Sequence, residues 1–177
     1  THARSSGRGQ FLDVAMYDGI VAMCERIVYQ YSYTGKVPVP EGNHHPILCP
    51  FGVFQARDGA VTIGCPRDSF WFELVAAMER PDLRTNPRFA TNNDRLAHAA
   101  EANGLVEAWT RERTKAEIAV ALEGRVPFGP VNTAADIFAD PHMSARDMLV
   151  EVEHPGSASP VTIASTPIRM TRTPGGV

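Results

Sequence analysis

Residues 11–33 are apolar with few breakers. Ile20, Met23, Cys24, Ile27, Val28 and Tyr31 recur at i, i+3, i+4 spacing. That period predicts a long, largely buried helix. Within it, residues 11–15 alternate, Leu12 and Val14 against Phe11, Asp13 and Ala15, so a strand is the alternative there. Gly35 fits the position just past a helix end. Pro38, Pro40, Pro46 and Pro50 then exclude helix and central strand, which predicts an extended crossing segment over 35–50. Residues 51–56 and 60–64 flank Asp58-Gly59, a hairpin signal. Asp68 is placed to cap a helix over 69–80, with Phe70, Leu74, Ala77 and Met78 on one face.

Further on, Thr91 and Asp94 have capping-box spacing. They predict a helix to about Arg111 that buries Leu96, Leu105, Val106 and Trp109. Thr114 and Glu117 form a full capping box opening 115–123, with Gly124 as its stop. Residues 126–131 hold two prolines and a glycine and read as an edge strand or loop. Thr133 and Asp136 begin a short helix stopped by Pro141, and 142–146 add a turn. Residues 149–153 and 161–163 alternate enough to pair as antiparallel strands. No internal repeat is visible.

The order of elements predicts an α+β fold: a small antiparallel sheet with helices packed on it, preceded by a long helix and a proline-rich crossing. The domain expectation is a linker and long helix over 1–34 and a crossing segment over 35–50. A small α+β domain over 51–164 follows, then an arm over 165–177. The Met-less start, the Gly-rich 5–10 and the Pro- and Gly-bearing tail predict a piece of a longer protein.

Composition narrows the class. Hydrophobic residues make up 44% and charged residues 21% of the 177, which is globular usage. A net charge of −3 offers no broad basic surface, so nucleic acid is not an expected partner. No apolar run approaches the ~20 residues of a membrane span, so neither is a membrane. Three cysteines without CxxC spacing predict a reducing, cytoplasmic setting.

Candidate chemistry is sparse. His44-His45 invites a metal, yet adjacent side chains on extended backbone face opposite ways and chelate one ion poorly. Loop contacts suit the pair better, and no metal site is expected. Cys49 and Cys65 flank the hairpin, but a nucleophile needs a base and a lowered pKa. Gly7-Arg8-Gly9 lacks the P-loop pattern. Asp140-Pro141-His142 reads first as helix termination. Asp13 and Asp18 lie in an apolar stretch, and a buried carboxylate there would need a partner. These residues contain no complete catalytic set.

Several segments together resemble the family III CoA-transferases, the carnitine dehydratase and bile-acid-inducible F family. They are Gly7-Arg8-Gly9-Gln10 through Asp13-Val14-Ala15-Met16 and Asp18; Gly42-Asn43-His44-His45-Pro46; Pro50-Phe51-Gly52-Val53-Phe54 with Asp58-Gly59; and Asn86-Pro87-Arg88-Phe89-Ala90-Thr91-Asn92 with Arg95. Trp109-Thr110 with Thr114, Val126-Pro127-Phe128-Gly129-Pro130-Val131, Asp140-Pro141-His142 and His154-Pro155 complete the order. The resemblance covers nearly the whole chain, but only the later half of such a protein.

The resemblance implies an N-terminal doubly wound CoA-binding domain and a catalytic aspartate upstream of Thr1, leaving no catalytic residue in this chain. It also implies an interlocked homodimer acting on acyl-CoA and a small carboxylic acid. Coenzyme A enters as substrate, and no cofactor stays bound. Residues 41–46 take the place of the family's glycine-rich substrate loop, with Gly42, Asn43, His44 and His45 as loop residues. Met16 and Asp18 are implied to lie near the site. The departure from several glycines to one puts flap motion in doubt and points to His44 or His45 as a carboxylate contact. Acyl-CoA racemases share this scaffold and are an alternative. A stand-alone association module is another.

Overall fold

The computed structural model describes residues 2–40 and 42–175; Thr1, Glu41, Gly176 and Val177 lie outside the described residues. That leaves Glu41 out of the predicted loop and the last two residues out of the predicted arm. The chain divides into two compact units, Thr1–Gly42 and Asn43–Val177.

The first unit holds α1 (His2–Ser6), α2 (Met16–Met23) and α3 (Glu25–Thr34). The single helix expected over 11–33 is therefore corrected to two. Cys24 departs from helical geometry (φ −89°, ψ 20°), and its N–H is shared between the Ile20 and Val21 carbonyls. Residues 11–15 form neither helix nor strand. Burial is corrected as well. Ile20, Met23, Ile27, Val28 and Tyr31 are exposed, and neither helix has a buried residue. Two short helices have no sheet or third layer of their own to cover an apolar stripe. Gly35 ends α3 in the left-handed conformation (φ 66°), its N–H donating to the Tyr31 carbonyl.

The second unit is built on a three-stranded antiparallel sheet of β1 (Phe51–Ala56), β2 (Gly59–Gly64) and β3 (Phe128–Val131), in that order. The expected hairpin forms, but Arg57 and Asp58 make the turn and Gly59 is already the first residue of β2, with Phe51 opposite Gly64 and Ala56 opposite Gly59. Pro130 is tolerated in β3 because it is an edge strand. Between β2 and β3 run α4 (Asp68–Ala77), α5 (Asp82–Thr85), α6 (Asn92–Ala97), α7 (Ala99–Arg111) and α8 (Lys115–Leu122). After β3 come α9 (Ala134–Ala139) and α10 (Pro141–Ala145), then β4 (Leu149–Val152) paired antiparallel with β5 (Val161–Ala164). The α+β class holds.

The core lies between the sheet and these helices. Phe54, Val61 and Ile63 meet Trp71, Leu74, Val75, Val106, Ile118 and Leu122, all essentially inaccessible to solvent. Capping boxes stand where expected, at Thr91–Asp94, Thr114–Glu117 and Thr133–Asp136. The helix predicted from there to Arg111 is in fact α6 and α7. His98 breaks it (φ −123°, ψ 33°), with its Nδ1 bonded to the Asp94 carbonyl at 2.9 Å. Val106 and Trp109 are buried, whereas Leu96 and Leu105 are half-buried.

Asp68 does not cap α4. Arg67 holds the cap position, and the Asp68 carboxylate accepts instead from Arg95 at 2.7 Å. Arg95 is fully buried. Its Nε donates to the Cys49 carbonyl (2.6 Å), one terminal nitrogen to the Phe89 carbonyl (2.9 Å), and the other to Asp68. The guanidinium carbon lies 5.2 Å from the Trp71 ring centre. Arg95→Met should therefore leave two carbonyls and a carboxylate without their donor. The expected loss is about 3 kcal/mol or more, read as a lower urea midpoint by tryptophan fluorescence. An unchanged midpoint would contradict this role.

Candidate functional site

The loop residues predicted from the sequence fall on the approach to β1. Gly42 takes φ 68°, a left-handed turn suited to glycine. The next residues lie along β1 as a partial fourth strand. Val53 N–H donates to the Asn43 carbonyl (3.0 Å), His44 pairs with Gly52, and His45 N–H donates to the Phe51 carbonyl (2.7 Å). Gly52 permits this approach: a Cβ there would sit 2.5 Å from His44 Nδ1 and would also meet the Asn43 carbonyl.

The two imidazoles diverge, as extended backbone requires. His44 packs against Phe54 with ring centres 5.4 Å apart, and His45 meets Phe51 edge-on at 5.2 Å. His45 Nδ1 accepts the Ile47 N–H at 3.2 Å. That bond selects the tautomer with the proton on Nε2, which leaves a ring N–H free to donate. His44 Nδ1 is buried without a hydrogen-bond partner. His44 also borders an open cleft of about 440 Å³ along α7, lined by Asn103, Gly104, Glu107 and Arg111. Glu107 and Arg111 pair with each other across one helical turn at 2.7 Å.

The end of the loop is held by α6. The Asn92 side chain donates to the Ile47 carbonyl (3.0 Å) and accepts the Cys49 N–H (3.0 Å). Pro50 accepts Cys65 N–H through its carbonyl (2.8 Å). Asn92 and Arg95 were visible in the sequence only as members of a motif. Neither their burial nor their loop contacts had a local signal.

The remaining candidates separate. Cys49 and Cys65 are buried, and loss of hydration pushes their thiols up to about 11 and about 12, opposed weakly by the Arg95 charge. Such thiols are not nucleophiles near neutral pH. Asp140 caps α10, accepting the His142 N–H at 2.8 Å, so this triplet terminates a helix. Met16 and Asp18 lie on α2 in the first unit, both exposed. Asp13 is exposed too. Among the described residues no three His, Cys, Asp or Glu side chains gather as a metal site. Nor is any described helix long and apolar enough to cross a membrane.

The family model of CoA-transferase family III matches residues 1–177. Succinyl-CoA:mesaconate CoA-transferase of Haloarcula marismortui is 44% identical over 178 residues, covering 99% of this chain and 44% of that protein. Succinyl-CoA–D-citramalate CoA-transferase of Chloroflexus aurantiacus is 35% identical over 97% of this chain and 43% of its own length. The crystal structure of a carnitine dehydratase/bile-acid-inducible F family protein from Brucella suis superposes with a TM-score of 0.76 at 32% identity. It covers 98% of this chain and 44% of that one. The chain belongs to CoA-transferase family III and spans a little under half the length of these relatives.

Two outcomes follow from the geometry. Iodoacetamide at pH 8 should leave Cys49 and Cys65 unmodified in the folded protein and label both in denaturant, since only about one Cys49 thiol in a thousand, and still fewer of Cys65, would be ionised. Gly52→Ala should push residues 43–45 off β1, read as faster amide exchange at His45 and Val53. Unchanged exchange would refute the close approach.

Proposed function

We propose that the full-length protein moves coenzyme A from succinyl-CoA to a small dicarboxylic acid, and that this chain is its C-terminal part. The observation that carries this is 44% identity, across 99% of the chain, with an enzyme named for succinyl-CoA and mesaconate.

In this proposal the nucleophile is an aspartate upstream of Thr1. Its carboxylate attacks the thioester carbonyl, expels CoA thiolate and forms a mixed anhydride. The thiolate attacks the aspartyl carbonyl, releasing the donor acid and leaving an aspartyl-CoA thioester. The acceptor carboxylate attacks that thioester and expels CoA again. CoA then takes the new acyl group from the second anhydride, and the free carboxylate returns. Covalent intermediates divide one difficult transfer into easier steps. All of them hydrolyse readily, so water must be kept out.

Gly42, Asn43, His44 and His45 provide that cover. The single glycine and the hydrogen bonds to β1 support a fixed cover more than a flapping one. His45 donates from Nε2 to a carboxylate of the acid; its Nδ1 contact to Ile47 supports this assignment. The exposed apolar residues of 11–33 are covered by the N-terminal domain and a second copy in an interlocked, cytoplasmic homodimer. Coenzyme A is a substrate, and no cofactor is held permanently.

The test is the denatured intact mass of the complete gene product, before and after succinyl-CoA. A chain more than twice this length, gaining a CoA adduct, is expected. A complete product without adduct that epimerises an acyl-CoA would make it a racemase. In the full-length enzyme, His45→Ala should raise the acceptor KM about tenfold, the worth of one charge-assisted hydrogen bond. If His44→Ala and His45→Ala both leave rate and acceptor choice unchanged, the loop assignment fails.

A further inference from the structure

We infer that Asn92 is a positioning residue, which sets the tautomer and orientation of the His45 imidazole by holding the backbone of Ile47. Its bearing on acceptor binding rests on the proposed function above; its bearing on the imidazole does not.

The geometry is a relay through one residue, whose carbonyl lies in the peptide to Leu48 and whose N–H lies in the peptide from Pro46, joined at the Ile47 Cα. Asn92 Nδ2 donates to the Ile47 carbonyl at 3.0 Å, and Ile47 N–H donates to His45 Nδ1 at 3.2 Å. The same Asn92 accepts the Cys49 N–H at 3.0 Å, so one side chain spans residues 47–49. It uses one donor and one acceptor on two loop groups, which fixes its amide orientation. Asn92 is itself held still. It is the first residue of α6, directly after Thr91, whose hydroxyl and backbone are tied to Asp94. Three residues on, Arg95 clamps the Cys49 carbonyl at 2.6 Å. The far end of the loop is pinned to β1 through Asn43 and His45. His45 thus stands just before a bend that is fixed at both ends, and Asn92 holds the Ile47 carbonyl, which limits rotation about the Ile47 Cα and so keeps the Ile47 N–H on His45. A ring N–H aimed at substrate depends on what its other nitrogen is bonded to.

Asn92→Asp separates this relay from general stability. The carboxylate still accepts the Cys49 N–H and suits the first turn of a helix. Its second oxygen, however, faces the Ile47 carbonyl, so acceptor meets acceptor, that carbonyl is released and the Ile47 backbone is free to turn its N–H away from His45. In full-length enzyme labelled with ¹⁵N-histidine at alkaline pH, wild-type His45 should show Nδ1 as a bare ring nitrogen and Nε2 protonated. In Asn92→Asp the two nitrogens should move toward each other as tautomers mix, with the thermal midpoint little changed. The acceptor KM should rise several-fold toward that of His45→Ala at constant kcat. The double variant should be no worse than His45→Ala alone. An unchanged His45 spectrum in Asn92→Asp overturns the inference. An unchanged acceptor KM in His45→Ala overturns the substrate contact, and the spectrum then decides the positioning role by itself.

Discussion

A single buried guanidinium ties the second unit together. Arg95 draws a loop carbonyl (Cys49), a connection carbonyl (Phe89) and a helix carboxylate (Asp68) onto one planar fork. A buried charge costs several kcal/mol unless it is paired and its donors are filled, so these partners are needed for the charge to be there at all. Arginine suits the place because its donors diverge in a rigid plane, whereas a lysine ammonium is a single point. The consequence reaches outward: the Cys49 carbonyl fixes the end of the loop that begins at Gly42, and Trp71 packs beside the cation.

The loop lies between two kinds of constraint. On one side the bare Gly52 backbone lets residues 43–45 join β1. On the other, the capped start of α6 presents Asn92 to residues 47–49. The two histidines therefore meet different surroundings although they are neighbours. His44 turns against Phe54 with an unpartnered nitrogen, and His45 meets Phe51 with Nδ1 occupied. The cysteines that flank the hairpin belong to the core, where burial holds their thiols protonated. Residues 43–49 thus form a segment hydrogen-bonded to β1 at one end and to α6 at the other.

The legible part of the fold was the part closed by neighbours. Thr91 with Asp94, Thr114 with Glu117 and Thr133 with Asp136 announced three helix starts. Asp58-Gly59 announced the hairpin, and Gly35 a helix stop. The departures came where a distant group intervened. Asp68 has the sequence of a cap but serves Arg95, 27 residues away. His98 sits in a helical pattern, yet its ring bonds the Asp94 carbonyl and packs beside Phe89, and the helix breaks there. Of the candidate site, His44 and His45 could be named from their motif, while Asn92 and Arg95 gave no local sign of holding them.

The amino-acid sequence by itself determined three helix starts, the stop at Gly35, the two hairpins and the family, because short-range hydrogen bonds and ordered motifs need no distant part of the chain. Tertiary structure alone decided which apolar faces are covered, why position 52 must lack a side chain, and which polar residue is buried as a cross-link. Those depend on segments some 46 residues apart meeting at one point, as Arg95 and Cys49 do. Burial and the pairing of a desolvated charge are properties of that meeting, and no periodicity along the chain records them.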